Sequence, residues 1–245
     1  MTADRPEADR PDGDRLDGDW SDAGRSEQYH PLANGLGRAA ENGDTAAVRG
    51  LLAGGAEADA WVAGGRRALD LAVCAGHVEV VRLLLAAGAD PRLDAGPYHE
   101  STPLALAAMR GHTAVARALL DAGAAPCGPA GRLRHVPLVL AATSCGSGSG
   151  SGSPETVDLL LDRGADIEET MRGRTALDWA ARFGFPATVE RLLERGAALT
   201  ERTLREVTEG ERFTAGEQQP AEHALRGTRR PDHGTVRTIL AAATA

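Results

Sequence analysis

The stretch over residues 65–90, GRRALDLAVCAGHVEVVRLLLAAGAD, constrains this chain more than any other. Its spacing predicts a short helix over 66–75, a turn at Gly76-His77 and a second helix over 78–87. Val78, Val81, Leu84 and Leu85 recur at helical spacing and give the second helix one apolar face. Gly88 then supplies a residue that tolerates the left-handed conformation in which helices stop. A helix pair this small cannot bury its apolar face alone, so it requires neighbours of the same kind.

The same pattern returns over residues 101–124 as STPLALAAMRGHTAVARALLDAGA. Thr102 there is a natural N-cap, and Pro103 fits the first helical turn, where a backbone N–H has no partner in any case. With the copies aligned on the Gly-Ala that ends each second helix, the position of Thr102 is taken by Asn34, Arg67, Thr102, Val136 and Thr175. The steps are 33, 35, 34 and 39 residues. The Thr-Pro-Leu opening, the Gly-His turn and the closing Leu-Leu…Gly-Ala resemble the ankyrin repeat, with its period of about 33 residues. The resemblance implies an all-α fold, an α-solenoid of about five to six ankyrin repeats, each a helix-turn-helix unit with a hairpin-like finger. Scarce aromatic residues (3%) and abundant alanine and glycine suit such thin, closely stacked helices.

Repeats are expected near 34–60, 61–93, 98–126, 131–168 and 172–199, within a repeat domain over 29–245. The first lacks the Thr-Pro-Leu box and reads as a capping copy. The fourth carries seven extra residues, assigned to the four Gly-Ser pairs of 146–153, a flexible spacer whose length costs little. The fifth opens with Thr175 and Asp178, a capping-box spacing, and replaces Gly-His by Gly184-Phe185. A degenerate sixth copy is expected at 221–245, with His223-Ala-Leu225 in its first helix and Val236, Ile239 and Leu240 in its second. About 15 extra residues would precede it, around 200–220, with a short helix at 203–207.

Residues 1–28 hold nine acids against four arginines, with only Leu16 and Trp20 as large apolar groups. That composition cannot offset its ordering entropy, so the segment is expected to be an acidic disordered tail. The formal net charge of −8 argues against nucleic acid or an anionic membrane as the partner. All 27 basic residues are arginine, a composition that points to a high-GC bacterial genome. Three cysteines in no CxxC pair do not make a disulfide framework. No apolar signal core or 18-residue apolar run is present, so the expected location is cytoplasmic.

Little in the chain suggests chemistry. Cys74 and His77 have no second pair of ligands to complete a closed metal site. The resemblance instead gives His77 and His112 a structural role in the turns. GxSxG patterns within the Gly-Ser run arise from low complexity, and with no lysine there is no phosphate-binding loop. No cofactor or metal is expected.

The expected site is a surface. The ankyrin resemblance implies a concave face built from the fingers and the ends of the first helices. Mapped by position, that face holds Trp61, Arg66, Tyr98, His99, Met109, Arg110, Arg132, Arg134, His135, Arg172, Arg174, Arg182 and Phe183. Seven arginines there meet one acid, Glu100, and arginine and aromatics are the types that dominate interface hot spots. The expected function is a non-catalytic scaffold or inhibitor, monomeric, that grips an acidic or extended segment of another protein. The alternative is a ligand-binding or enzymatic pocket near Arg174, Arg182 and Phe183.

Overall fold

The computed structural model describes residues 31–62, 64–95, 101–127, 135–144, 152–215 and 231–244, with the side chains of 213–215 excepted. Twelve helices stand in order among them: α1 (Pro31–Asn42), α2 (Thr45–Ala53), α3 (Ala68–Ala75), α4 (Val78–Ala86), α5 (Pro103–Arg110) and α6 (Thr113–Asp121), then α7 (Pro137–Ala142), α8 (Pro154–Asp162), α9 (Ala176–Phe183), α10 (Pro186–Glu194), α11 (Glu201–Ala215) and α12 (His233–Ala243). Odd-numbered helices stack on one another as an inner layer and even-numbered helices as an outer one, each pair touching chiefly the next. The result is an all-α solenoid.

The inner layer is thin because its contact residues are small. Ala40, Ala72, Ala107, Ala141 and Ala180 are completely buried, and Leu36, Leu69, Leu104, Leu138 and Leu177 repeat beside them at 1% exposure or less. Each such leucine contributes about 1.5–3 kcal/mol of hydrophobic stabilisation. Leu84, Leu119, Leu160 and Leu192 form the matching buried row of the outer layer.

Arg67, Thr102, Val136 and Thr175 are the N-caps of α3, α5, α7 and α9, as the spacing predicts. Thr102 accepts the Ala105 N–H, and Thr175 and Asp178 exchange both bonds of a capping box. Asn34 differs: α1 starts at Pro31, which places Asn34 inside the helix. Arg66 and Arg67 also lie outside α3, as β2 (Arg66–Arg67), paired antiparallel with β1 (Trp61–Val62). This hairpin is a finger, and the isolated bridges Ala95–Ser101 and Met171–Arg174 mark two more.

In each turn a left-handed glycine meets the next unit. Gly43, Gly76 and Gly184 have φ of 73°, 80° and 67°. His77 donates through Nε2 to Glu41 O at 3.0 Å, and His112 to Cys74 O at 3.4 Å. The two histidines thus have the structural role that the family resemblance implies.

In the fourth unit the Ser153 N–H bonds to Ala141 O, twelve residues back. Only five separate the matching partners at Ala39–Asp44, Ala72–His77, Ala107–His112 and Ala180–Phe185. The seven-residue excess therefore falls between Ser144 and Gly152. Gly152 (φ 78°) and Ser153 are the ordinary turn rather than part of the spacer. Residues 145–151 lie outside the described residues, as do 1–28, the tail expectation among them.

The C-terminal unit also differs from expectation. The helix packed on α9 is α11, and α12 packs on α10 and α11. Val236 and Leu240 of α12 are buried as the second-helix spacing requires. The first helix is α11, however, and residues 221–230, with His223 and Leu225, lie outside the described residues. Only six residues join α10 to α11, whereas 13 to 16 join the outer helix of every earlier unit to the next inner one. The finger is missing there, and the extra chain falls within the unit instead.

Candidate functional site

The finger and inner-helix side was built from the sequence as one basic face; the structure divides it. In the first finger Trp61 lies opposite Arg67 and Val62 opposite Arg66. Cross-strand partners share a side of the ribbon and neighbours alternate. The Arg67 guanidinium accordingly lies 4.0 Å over the Trp61 ring and donates through Nη1 to Asp94 O at 2.8 Å. Val62 turns the other way and is buried against Gly37 of α1. Arg66, opposite Val62, is exposed.

Arg66 and Arg110 come from neighbouring units and act on one group, the half-buried Cys74 thiol at the end of α3. Burial pushes that thiol above its ordinary pKa, while Arg110 and then Arg66 pull it down and Asp70 pushes it up. The thiol is therefore held protonated, which suits packing and not nucleophilic attack. Among the described residues Arg66 and Arg110 form no ion pair. Met109, beside Arg110, is half-buried against the core.

The fifth unit gathers Arg172, Arg174, Arg182 and Phe183, and the gathering is chemically mixed. Arg172 sits at the finger tip with φ 55°, the one positive-φ non-glycine among the described residues, followed by Gly173 at 74°. Two left-handed residues in succession make the tight two-residue hairpin that bridges Met171 to Arg174. Arg172 is exposed and unpaired among the described residues.

Arg174 and Arg182 are not available in that way. The buried Glu206 carboxylate of α11 accepts from Arg174 Nε at 2.6 Å and Arg182 Nη1 at 2.8 Å. Glu209 takes a further bond from Arg182 at 2.5 Å. Burial alone would push the Glu206 carboxyl up. The hydrogen bonds from Arg182 and Arg174, with their two charges, outweigh it and hold the group below the usual carboxylate range. Two of the three residues named for the alternative pocket, Arg174 and Arg182, are therefore paired with a carboxylate of the chain itself.

Beside it, Phe183 (40% exposed) stacks on Trp179 at 5.8 Å and on Phe185 at 5.9 Å. Trp179 donates to Met171 O at 3.1 Å, and Arg174 lies 5.2 Å over its ring.

His135 is half-buried, just ahead of α7. Tyr98, His99, Arg132 and Arg134 lie outside the described residues. Glu168, ahead of the fifth finger, accepts the Ala198 N–H at 2.8 Å. Glu206, Glu209 and Trp179 were not foreseen. The one trace of the acids in the sequence is Glu206 and Glu209 three residues apart, a helical spacing.

No group of three His, Cys, Asp or Glu among the described residues could hold a metal ion, and none of the described helices is long and apolar enough to cross a membrane. Comparison with curated proteins returns no match. Comparison with protein families matches ankyrin repeats (3 copies) over residues 28–95 and 137–203, and a further ankyrin repeat over residues 99–128. Ankyrin repeats are in general protein–protein interaction units, and the proteins built from them are typically non-catalytic. With more than half of its length matched, this chain belongs to the ankyrin-repeat family.

Proposed function

We propose that this protein is a non-catalytic cytoplasmic scaffold or inhibitor, acting as a monomer, that binds an acidic or extended segment of another protein across its finger and inner-helix side. The observation that carries this reading is the pair Arg66 and Arg110. These are two exposed guanidiniums from successive units, at the start of α3 and the end of α5, which pack on each other, and no carboxylate is paired to either among the described residues. On the outer layer and its loops Arg82, Arg163, Arg191 and Arg195 each have an acid at 3.3 Å or less, whereas Arg49 and Arg117 are not ion-paired among the described residues and serve as the control below. Arg172 adds a third exposed guanidinium, held on a left-handed residue, where a side chain costs about 1–2 kcal/mol that glycine would not. Backbone strain at an exposed tip is commonly retained where the side chain is used. Tyr98, His99, Arg132, Arg134 and His135 are proposed to extend the same face, with Trp61, Met109 and Phe183 as its apolar contacts. Arg174 and Arg182 would contribute from its end.

The test is a pull-down from the native cytoplasm with the full chain and two triple variants. Arg66→Ala/Arg110→Ala/Arg172→Ala should lose the partner while keeping the helical circular dichroism spectrum. Arg49→Ala/Arg117→Ala/Arg82→Ala, on the outer helices, should keep it. Equal retention by both variants would remove this face from the function.

A further inference from the structure

We infer that the strip formed by Arg66, Cys74 and Arg110 is a docking surface for residues 1–28 of this same chain.

The surface comes from the structure. Arg66 and Arg110 are exposed and without an ion pair among the described residues. Arg66 lies in β2 just ahead of α3, Cys74 lies near the end of α3, and α3 packs on α5, which ends at Arg110. His112, two residues beyond Arg110, holds the Cys74 carbonyl at 3.4 Å, and the charges of both arginines pull the Cys74 thiol down. The one acid that also acts on that thiol, Asp70, is buried and accepts the Arg67 N–H at 3.1 Å. The strip is therefore net positive in a chain of net charge −8.

The occupant comes from the sequence, through a five-residue period. Asp4, Asp9, Asp14 and Asp19 each have a second acid three residues on, at Glu7, Asp12, Asp17 and Asp22. In an extended polyproline-type chain three residues make one turn and rise about 9 Å, which puts both carboxylates of a pair on one side. Neighbouring packed helices stand about 8–10 Å apart. One acid pair thus spans two successive units, and Arg66 and Arg110 belong to successive units. Arg5, Arg10 and Arg15 oppose the contact, but each of those three periods still carries a net charge of −1. Four equivalent pairs give four registers for the same contact.

The attachment point is favourable. Segment 1–28 enters the fold through α1, which packs beside β1, with Gly37 against Val62 of the finger that carries Arg66. A coil of about 25 residues has an end-to-end distance on the order of 30 Å, so the strip lies well within reach. An effective concentration on the order of millimolar then makes a weak ionic contact sufficient for occupancy. The contact weakens with salt, because exposed pairs are screened.

Cys74 is the reporter. With Cys127→Ser and Cys145→Ser in place, the rate of Cys74 alkylation by neutral iodoacetamide is compared between the full chain and a chain lacking residues 1–28. At low ionic strength the deletion should speed alkylation roughly three- to tenfold, the scale of two or three weak exposed ion pairs. The difference should vanish at high salt, and also in Arg66→Ala/Arg110→Ala, each compared with its own deletion. A synthetic peptide of residues 1–28 at millimolar concentration should restore protection. Equal rates at low salt, with the helical spectrum unchanged, would overturn the docking. Protection that survives high salt or the double substitution would overturn its assignment to these arginines. Neither result depends on whether a separate partner protein binds.

Discussion

His233 donates through Nε2 to the carbonyl oxygen of Arg182 at 2.9 Å, 51 residues back along the chain. Arg182 stands two residues before the left-handed Gly184, as Glu41 does before Gly43 and Cys74 before Gly76. The bond that joins the last unit to the stack is thus the bond by which His77 and His112 join theirs, made by a histidine placed after a long insertion instead of within a Gly-His turn. His233→Ala leaves a backbone acceptor without its partner, at a cost of about 1–3 kcal/mol. Thermal unfolding should show a lower midpoint for His233→Ala, and no change for the exposed Thr235→Ser.

The close fit around this bond makes a second, sharper expectation. Gly210 of α11 lies against Arg182 O and His233, so a β carbon there would collide with the carbonyl and sit 2.6 Å from His233 Nε2. Alanine ordinarily stabilises an exposed helix by about 1 kcal/mol over glycine. Gly210→Ala should destabilise instead, with hydrogen exchange accelerated over α11 and α12 and unchanged over α1–α4. Uniform exchange, or a gain in stability, would contradict the packing described for α11.

Acid should act on the same unit. Glu206 is held below the usual carboxylate range in the folded chain, so its pairing with Arg174 and Arg182 contributes fully above its unfolded pKa of about 4.3 and is lost as pH falls through the lower folded value. Stability measured from pH 7 downward should therefore stay level through this contribution until about pH 4.3 and then fall. Glu206→Gln should be less stable at pH 7 and flatter below pH 4.3. Parallel curves for the two proteins would show that the pair does not couple to folding.

The Gly-Ser run provides a register test. Deleting residues 145–151 joins Ser144 to Gly152 and restores the five-residue spacing of the other turns. Deleting residues 146–152 removes as many residues but puts Cys145 where Gly152 stands, at φ 78°, where a β carbon collides with Thr188. The first deletion should keep the wild-type melting temperature, whereas the second should lose about 1–2 kcal/mol from the left-handed residue alone, before the collision is counted. Chemical denaturation of both distinguishes them.

The core of the repeats can be checked at one leucine. Leu84 is fully buried in the outer layer, and truncating such a residue to alanine typically costs about 2–5 kcal/mol. Leu84→Ala should lower the melting temperature by several degrees, while Ser149→Ala should leave it unchanged. Equal effects would contradict the register of the stack.

The sequence by itself determined the units and their caps. Val81 and Leu84 announce a buried face because helical periodicity is local, and Thr102 and Thr175 announce helix starts because a cap bonds only three residues ahead. It also carried the seven-residue excess of the fourth unit, although only the hydrogen bond of Ser153 to Ala141 shows that Gly152 belongs to the turn. The finger pairing decided what a pattern of single positions could not: Arg66 and Trp61 fall on opposite sides of a ribbon, and Arg67 is spent on the Trp61 ring. The partner of Arg174 and Arg182 was illegible for a different reason. Glu206 lies 32 and 24 residues beyond them, in a unit whose finger is missing and whose repeat register is therefore broken. Charge composition counts arginines, but whether a guanidinium faces water or a buried carboxylate depends on which helix the chain stacks next, and only the tertiary structure fixes that.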